Sequence, residues 1–357
     1  MKILYAIQGT GNGHLSRARE IIPILRKNHE VDLLVSGIRT ELDFPFEVKY
    51  RFNGLGFVFG AKGGIDLTET YKKNNIRVLL SEINSLPVNE YQLVINDFEP
   101  VSAWACYFNN VTCISVSHQT AVINKNAPQP KDSDIIGKAV LKNYAPSKIK
   151  YGFHFRSYST NIFTPVIRSQ IRKAVAENKG HYTVYLPAYD DQRILKVLKS
   201  CGDTKWQVFS TRTKARLDLG NITIEPISND GFVRSLVTCE GIICGAGFET
   251  PAEAMFLKKK LMVIPMKGQY EQQCNAMALK EMGVPVLKSL KPGSVGKIMQ
   301  WIENGSHVEV DYPDETRKII NMVIAGHKEI VPVSGPEKKY SVERFRNLIL
   351  KKIIAQF

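Results

Sequence analysis

A histidine behind a glycine-rich turn is the residue of this chain best suited to move a proton at neutral pH. Gly9-Thr10-Gly11-Asn12-Gly13-His14 follows the apolar run Lys2 to Ile7 and precedes a helical periodicity through Leu15, Ile21, Ile22 and Leu25. Strand, glycine turn and helix in that order set His14 at the carboxyl end of a first strand, where open α/β sheets bind ligands. An imidazole with a pKa near ~6.5 can take a proton from a hydroxyl, provided that a neighbour fixes its tautomer. Asp97 ends the run Leu93 to Asn96 and is the neighbour expected for that task, although it would equally suit as a cap for the helix starting near Glu99 and Pro100. His118, after the strand Thr112 to Ser117, is the second choice as a catalytic or acceptor-side residue. The plain alternative for His14 is a histidine at a helix entry with no chemistry.

A second stretch, Gly241 to Gly283, reads as strand, glycine loop, helix, strand, loop, helix. Gly245-Ala246-Gly247-Phe248 removes side chains where a strand gives way to a helix, so a ligand can approach the backbone closely. Thr250 suits an N-cap, Pro251 the first helical position and Glu253 the third position after the cap, which together predict a capping box. Free N–H groups and the positive end of the helix dipole would then face the loop, a setting for a diphosphate. After the next strand, Gln269, Glu271, Gln272 and Asn275 supply amides and one carboxylate of the kind that bind sugar hydroxyls. Two plain alternatives stand beside this: Glu253 closes its box and does nothing more, and the two glycines only permit a tight turn.

Thr250-x-x-Glu253 behind the glycine turn, then Glu271-Gln272-x-x-Asn275-Ala276, resembles the donor region of inverting GT-B glycosyltransferases, the MurG-like and UDP-dependent enzymes. The first glycine turn with His14 resembles the first loop of the MurG-like members. The resemblance implies a base at His14 paired with Asp97, and a donor site that includes Gly13, Gly245, Gly247, Phe248 and Thr250. It implies that Glu253 bonds the ribose, that Ile227 and Ser228 lie beside the nucleotide base, and that Gln269, Glu271, Gln272 and Asn275 contact the sugar. The plant-type enzymes carry a phosphate-binding histidine where Gly245 stands, so phosphate contacts would fall to backbone N–H groups and the Thr250 hydroxyl. Retaining members show two glutamates eight positions apart, and the residue eight before Glu253 is Gly245.

The elements that must position these groups fit 357 residues of ordinary globular composition, 44% hydrophobic and 23% charged, enough for two cores. Strands are expected near Val31 to Val35, Glu47 to Phe52, Thr183 to Leu186, Trp206 to Ser210 and Ile222 to Ile227. Their alternation with helices predicts parallel sheets. The fold class is α/β: two Rossmann-like domains of GT-B type facing across a cleft, residues 1–163 for the acceptor and 164–340 for the donor. The segment 341–357 is an amphipathic helix with Phe345, Leu348, Ile349 and Ile353 on one stripe, which the resemblance sends back to the first domain. Asn161 to Ile167 is the expected linker. The glycine-rich stretch Gly54 to Gly64 follows no clean strand and is read as a mobile acceptor-side loop, not a phosphate site.

Forty-eight Lys and Arg against 34 Asp and Glu give a net charge of +14, which favours acidic ligands or anionic surfaces. The basic and aromatic stretch Lys131 to Arg156 is either a membrane-facing patch or a solvated helix face with core aromatics. Six scattered cysteines without metal spacing read as reduced, mostly buried thiols of a cytoplasmic protein, peripheral at most to the membrane. No signal peptide and no membrane helix is read. The expected function is a hexosyl or N-acetylhexosaminyl transferase using a UDP-sugar, with no metal or other cofactor. Its acceptor is unidentified and in such relatives often lipid-linked; nucleic acid is not the expected partner. The alternatives are a nucleotide-sugar epimerase of the same fold and a basic membrane- or nucleic-acid-binding protein with a vestigial donor site.

Overall fold

The computed structural model of the chain describes residues 1–37, 44–55, 76–130 and 135–328. They form two compact units, each built on its own sheet.

The first unit has seven strands: β1 (Lys2–Gln8), β2 (Glu30–Ser36), β3 (Tyr50–Phe52), β4 (Leu93–Asp97), β5 (Cys113–Ser117), β6 (Ile149–Phe153) and β7 (Ile162–Phe163). They run parallel in the order β3-β2-β1-β4-β5-β6-β7. Every residue of β4 and β5 is buried, as is β1 after Lys2, which is why these strands read as unbroken apolar runs and not as alternation. The helix Pro100–Asn109 starts where Glu99 accepts hydrogen bonds from the Val101 and Ser102 amides and Pro100 fixes the first φ. It stops where Asn110 turns left-handed at φ 56°. Glu99, not Asp97, is therefore the cap of this helix.

The second unit holds β8 (His181–Tyr185), β9 (Lys205–Ser210), β10 (Leu217–Leu219), β11 (Ile222–Pro226), β12 (Gly241–Gly245) and β13 (Lys260–Ile264). Their order is β10-β11-β9-β8-β12-β13, with only β10 antiparallel. Its core gathers Trp206, Val208, Ile222, Ile243 and Met262 from the sheet with Leu198 and Trp301 from flanking helices. Both units are thus Rossmann-like layers of helix and parallel sheet.

Two boundaries differ from the sequence reading. The chain passes from the first unit to the second between Val166 and Ile167, because Ile162 and Phe163 pair with β6 as an edge strand and are not linker. The expected donor domain 164–340 ends early, for the chain rejoins the first unit after Tyr312. The helix Thr316–Lys328 buries Ile319, Ile320, Val323 and Ile324 and packs against the helix Asn12–Arg26. Apolar residues at that spacing make one stripe, and the first domain supplies its cover. The amphipathic segment 341–357, and the Gly54 to Gly64 loop beyond Leu55, lie outside the described residues. The stretch from Lys131 becomes, where described, the helix Ile135–Asn143 followed by β6, and its aromatics Tyr144, Phe153 and Phe155 are core.

Candidate active site

In the first unit β1 and β4 are neighbours, with Ile7 opposite Asp97 in the register. Their carboxyl ends bring the glycine turn and Asp97 together. Gly9 is packed so closely that an added Cβ would stand 2.8 Å from Val35 Cγ1 and 3.0 Å from the Ser36 carbonyl oxygen. Gly11 then takes φ 89°, a conformation open to glycine, and the helix begins at Asn12 with no side-chain cap.

Gly13 and His14 therefore lie in the first turn of that helix. His14 Nδ1 is 2.8 Å from Asp97 Oδ1, with Asp97 fully buried and His14 9% exposed. Burial pushes the Asp97 carboxyl up, but the charges of Arg17 and His14 and the hydrogen bonds from both outweigh it, and the net shift is downward. An ionised Asp97 has no proton to give, so Nδ1 carries the hydrogen of this bond and Nε2 keeps its lone pair. Nε2 is approached by the Gln119 amide nitrogen at a long 3.4 Å. Phe98 stacks on the imidazole at 6.3 Å and 8°, and it does so from a left-handed backbone, φ 57°. A bulky residue held in that region costs about 1–3 kcal/mol and such strain gathers at functional sites.

Two participants were not read from the sequence. Arg17 sends Nε to Asp97 Oδ2 at 2.9 Å and Nη2 to Oδ1 at 2.8 Å, a two-pronged clamp that is 2% exposed. Its signal was available, since a His and an Arg three positions apart share one helix face. Gln119 directly follows His118 at the end of β5. His118 itself is 1% exposed and donates Nδ1–H to the Phe153 carbonyl at 2.8 Å, beside the His154 ring at 5.2 Å.

The second unit corrects the capping box. The helix runs Glu249–Phe256 with Phe248 at its N-cap and no side-chain cap, so Thr250 and Glu253 already lie inside it. Glu253 turns instead to Arg168: Oε1 accepts Nε at 2.5 Å and Oε2 accepts Nη2 at 2.6 Å. A charged fork from distant sequence outcompetes a single local amide for a carboxylate. Arg168 also donates Nη1 to Asn229 Oδ1 at 2.8 Å. Burial raises the Glu253 carboxyl above its usual range, and Arg168 offsets this only in part.

The helix N-terminus facing the loop Gly245 to Phe248 is left without a side-chain cap, a setting that suits an anion. Gly245 and Gly247 have no positive φ, and a Cβ at Gly247 would meet nothing within 4 Å, while at Gly245 it would make ordinary contact with Gln272. The turn does not require glycine at either place. Asn275 is fully buried and donates to the Ala246 carbonyl at 3.1 Å, and Gln272 Oε1 accepts the Met266 amide at 2.9 Å, so both brace the loops. Gln269 is the uncapped N-cap of the helix Tyr270–Glu281, and Glu271 lies in its first turn. Ser228 caps the helix Asn229–Thr238 through the Gly231 amide at 3.2 Å, and the Ile227 amide bonds Ser210.

Among the described residues no group of three or more His, Cys, Asp or Glu side chains is placed to hold a metal, and no helix is long and apolar enough to cross a membrane. All six cysteines are free and buried.

Two parallel-sheet domains, a buried His–Asp pair at one set of strand ends and a bare glycine loop at the other define the architecture of a GT-B glycosyltransferase. The family model described as glycosyl transferase family 1 matches residues 1–302, and the chain belongs to that family. Similar solved structures include Acinetobacter baumannii MurG, at TM-score 0.50 and 14% identity, covering 98% of this chain and 99% of that one. Phytolacca americana UGT2, complexed with UDP-2fluoro-glucose and pterostilbene, aligns at TM-score 0.55 and 10% identity over 98% of each chain. A Listeria monocytogenes protein described as a putative UDP-N-acetylglucosamine 2-epimerase aligns at TM-score 0.53 and 11% identity, over 92% of this chain and 96% of its own. A search of curated proteins finds no match to the sequence.

Proposed function

We propose that the chain is an inverting glycosyltransferase that moves a hexosyl or N-acetylhexosaminyl group from a UDP-sugar to an acceptor hydroxyl. The observation that carries this reading is the buried pair of His14 and Asp97, with the Nε2 lone pair left for a proton. His14 Nε2 takes the hydroxyl proton as the acceptor oxygen bonds the anomeric carbon. The bond from that carbon to the diphosphate breaks on the opposite side, and the diphosphate leaves with the electron pair. The amides at the start of the Glu249–Phe256 helix stabilise its growing charge. Phe248, Thr250, Glu253, Ile227, Ser228 and the Gln269 to Asn275 group serve the donor, and no step calls on a metal. The UDP-2fluoro-glucose of the Phytolacca americana relative supports the choice of donor. The acceptor presents a hydroxyl, and its lipid-linked form would bring the basic chain to an anionic membrane face.

Loss of a general base slows chemistry ~100-fold to 10,000-fold and leaves donor binding nearly intact. His14→Ala is therefore expected to bind UDP-sugar normally in a thermal-shift assay and to transfer it poorly, with Asp97→Asn milder. Near-normal turnover of the His14→Ala enzyme at saturating substrates would move the base elsewhere. The likeness to the described epimerase favours a second reading, in which the donor reacts without an acceptor. Incubating UDP-N-acetylglucosamine alone and reading product sugars by NMR separates the two: a new epimer supports the second, unchanged donor the first.

A further inference from the structure

We propose that Arg17 is a positioning residue that holds Asp97 ionised and aimed at His14 and that, through its own charge, keeps His14 in the neutral form able to accept a proton. The inference rests on the reading of His14 as the base.

The geometry is that of a shared carboxylate. Asp97 Oδ1 receives His14 Nδ1 at 2.8 Å and Arg17 Nη2 at 2.8 Å, and Oδ2 receives Arg17 Nε at 2.9 Å. Arg17 Nη2 also stands 3.2 Å from His14 Nδ1, which already carries a hydrogen, so this approach is a cation beside a ring N–H and not a bond between them. A buried His–Asp pair without a second cation has a weakness: proton and negative charge favour each other so strongly that the imidazole is held as imidazolium and ceases to be a base. Arg17 removes the weakness. It supplies most of the carboxylate's countercharge, so Asp97 orients the ring without trapping a proton on it.

The surroundings allow this account. From β1, Tyr5 faces the pair fully buried, and burial first, then the Asp97 charge, pushes its phenol upward, so it stays neutral. From β6, the Phe153 ring lies 5.7 Å from the Arg17 guanidinium and contributes no charge. Gln119 and Phe98 are likewise uncharged. The balance is therefore set by His14, Arg17 and Asp97 alone among the groups that meet here.

The test is the pH profile of turnover, with an intact fold checked by circular dichroism. Arg17→Met is expected to move the acidic limb of kcat upward by about one pH unit, the size of effect that a removed neighbouring charge produces. Turnover below the limb then falls about 10-fold, while the alkaline plateau and KM for the donor stay near those of the parent. Arg17→Lys, which keeps the charge but not the fork, is expected to return the limb part of the way. A loss that is equal at every pH, or a limb that does not move in a folded Arg17→Met enzyme, overturns the proposal and leaves Arg17 as packing. Should Arg17→Met fail to fold, an Arg17→Lys limb that coincides with the parent's over a lowered plateau also overturns it. An active His14→Ala enzyme brings down the reading of the base, a separate result from either.

Discussion

Glu253 is buried to 2% exposure, and its only cation partner among the contacts described above is Arg168. Removing one partner of a buried pair costs about 3–5 kcal/mol because the remaining charge is left dry. Arg168→Met is expected to lose that much in urea unfolding at neutral pH. The sign with pH follows from the raised Glu253 carboxyl: the native state holds a proton that the unfolded chain, at pKa ~4.3, has released. The variant's deficit should therefore shrink as pH falls toward 4.3 and grow as it rises, and the same deficit at both ends would refute the account. Glu249, which also raises this carboxyl, adds to the effect. The same long-range pair explains a limit of sequence reading. Thr250 and Glu253 have the spacing of a capping box, but a guanidinium 85 positions away cannot be seen in local spacing. His14 and Asp97 were legible because each ends a strand of unmistakable apolar character. Arg17 was not, since an arginine in an amphipathic helix looks like any solvated residue.

At the scale of the element, the glycine loop after β12 separates two explanations that sequence alone leaves joined. A glycine needed by the turn would show a positive φ or a Cβ clash, and Gly247 shows neither. Gly247→Ala is thus expected to leave the melting temperature within about 1 °C, equivalent to a few tenths of a kcal/mol. If the loop holds a diphosphate by its backbone, the added methyl should weaken UDP binding at least 10-fold by isothermal calorimetry; unchanged binding would remove the loop from the donor site. Gly152 is the contrasting case. There a Cβ would lie 2.8 Å from Ile162 Cδ1 and 2.9 Å from the Ala121 amide, and Gly152→Ala should cost about 1–3 kcal/mol by parting β6 from the helix His118–Val122. Strand order and the two-residue β7 were not legible. A strand that short has no periodicity to read, and its pairing depends on partners remote in sequence.

For the whole molecule, the net charge of +14 was readable from composition, but where it acts was not. On the proposed reading, the protein should float with vesicles containing anionic lipid and release as salt rises through the range where the Debye length falls below ~8 Å. Equal recovery with neutral vesicles would take charge out of the explanation.

The helix Thr316–Lys328 packs on the helix Asn12–Arg26, so residues some three hundred positions apart complete one domain. A ribosome delivers the chain from its start, at about 5–20 residues each second, and domains condense as their parts emerge. The second unit, Ile167–Tyr312 in its main segment, is therefore wholly synthesised while the first still lacks its closing helix. For that interval the apolar positions awaiting Ile319, Ile320 and Val323 stand open, and the half-made chain exposes there a surface that chaperones recognise. A stop codon just after Tyr312 would spare every residue discussed as chemical, yet leave the His14 helix permanently in its nascent state.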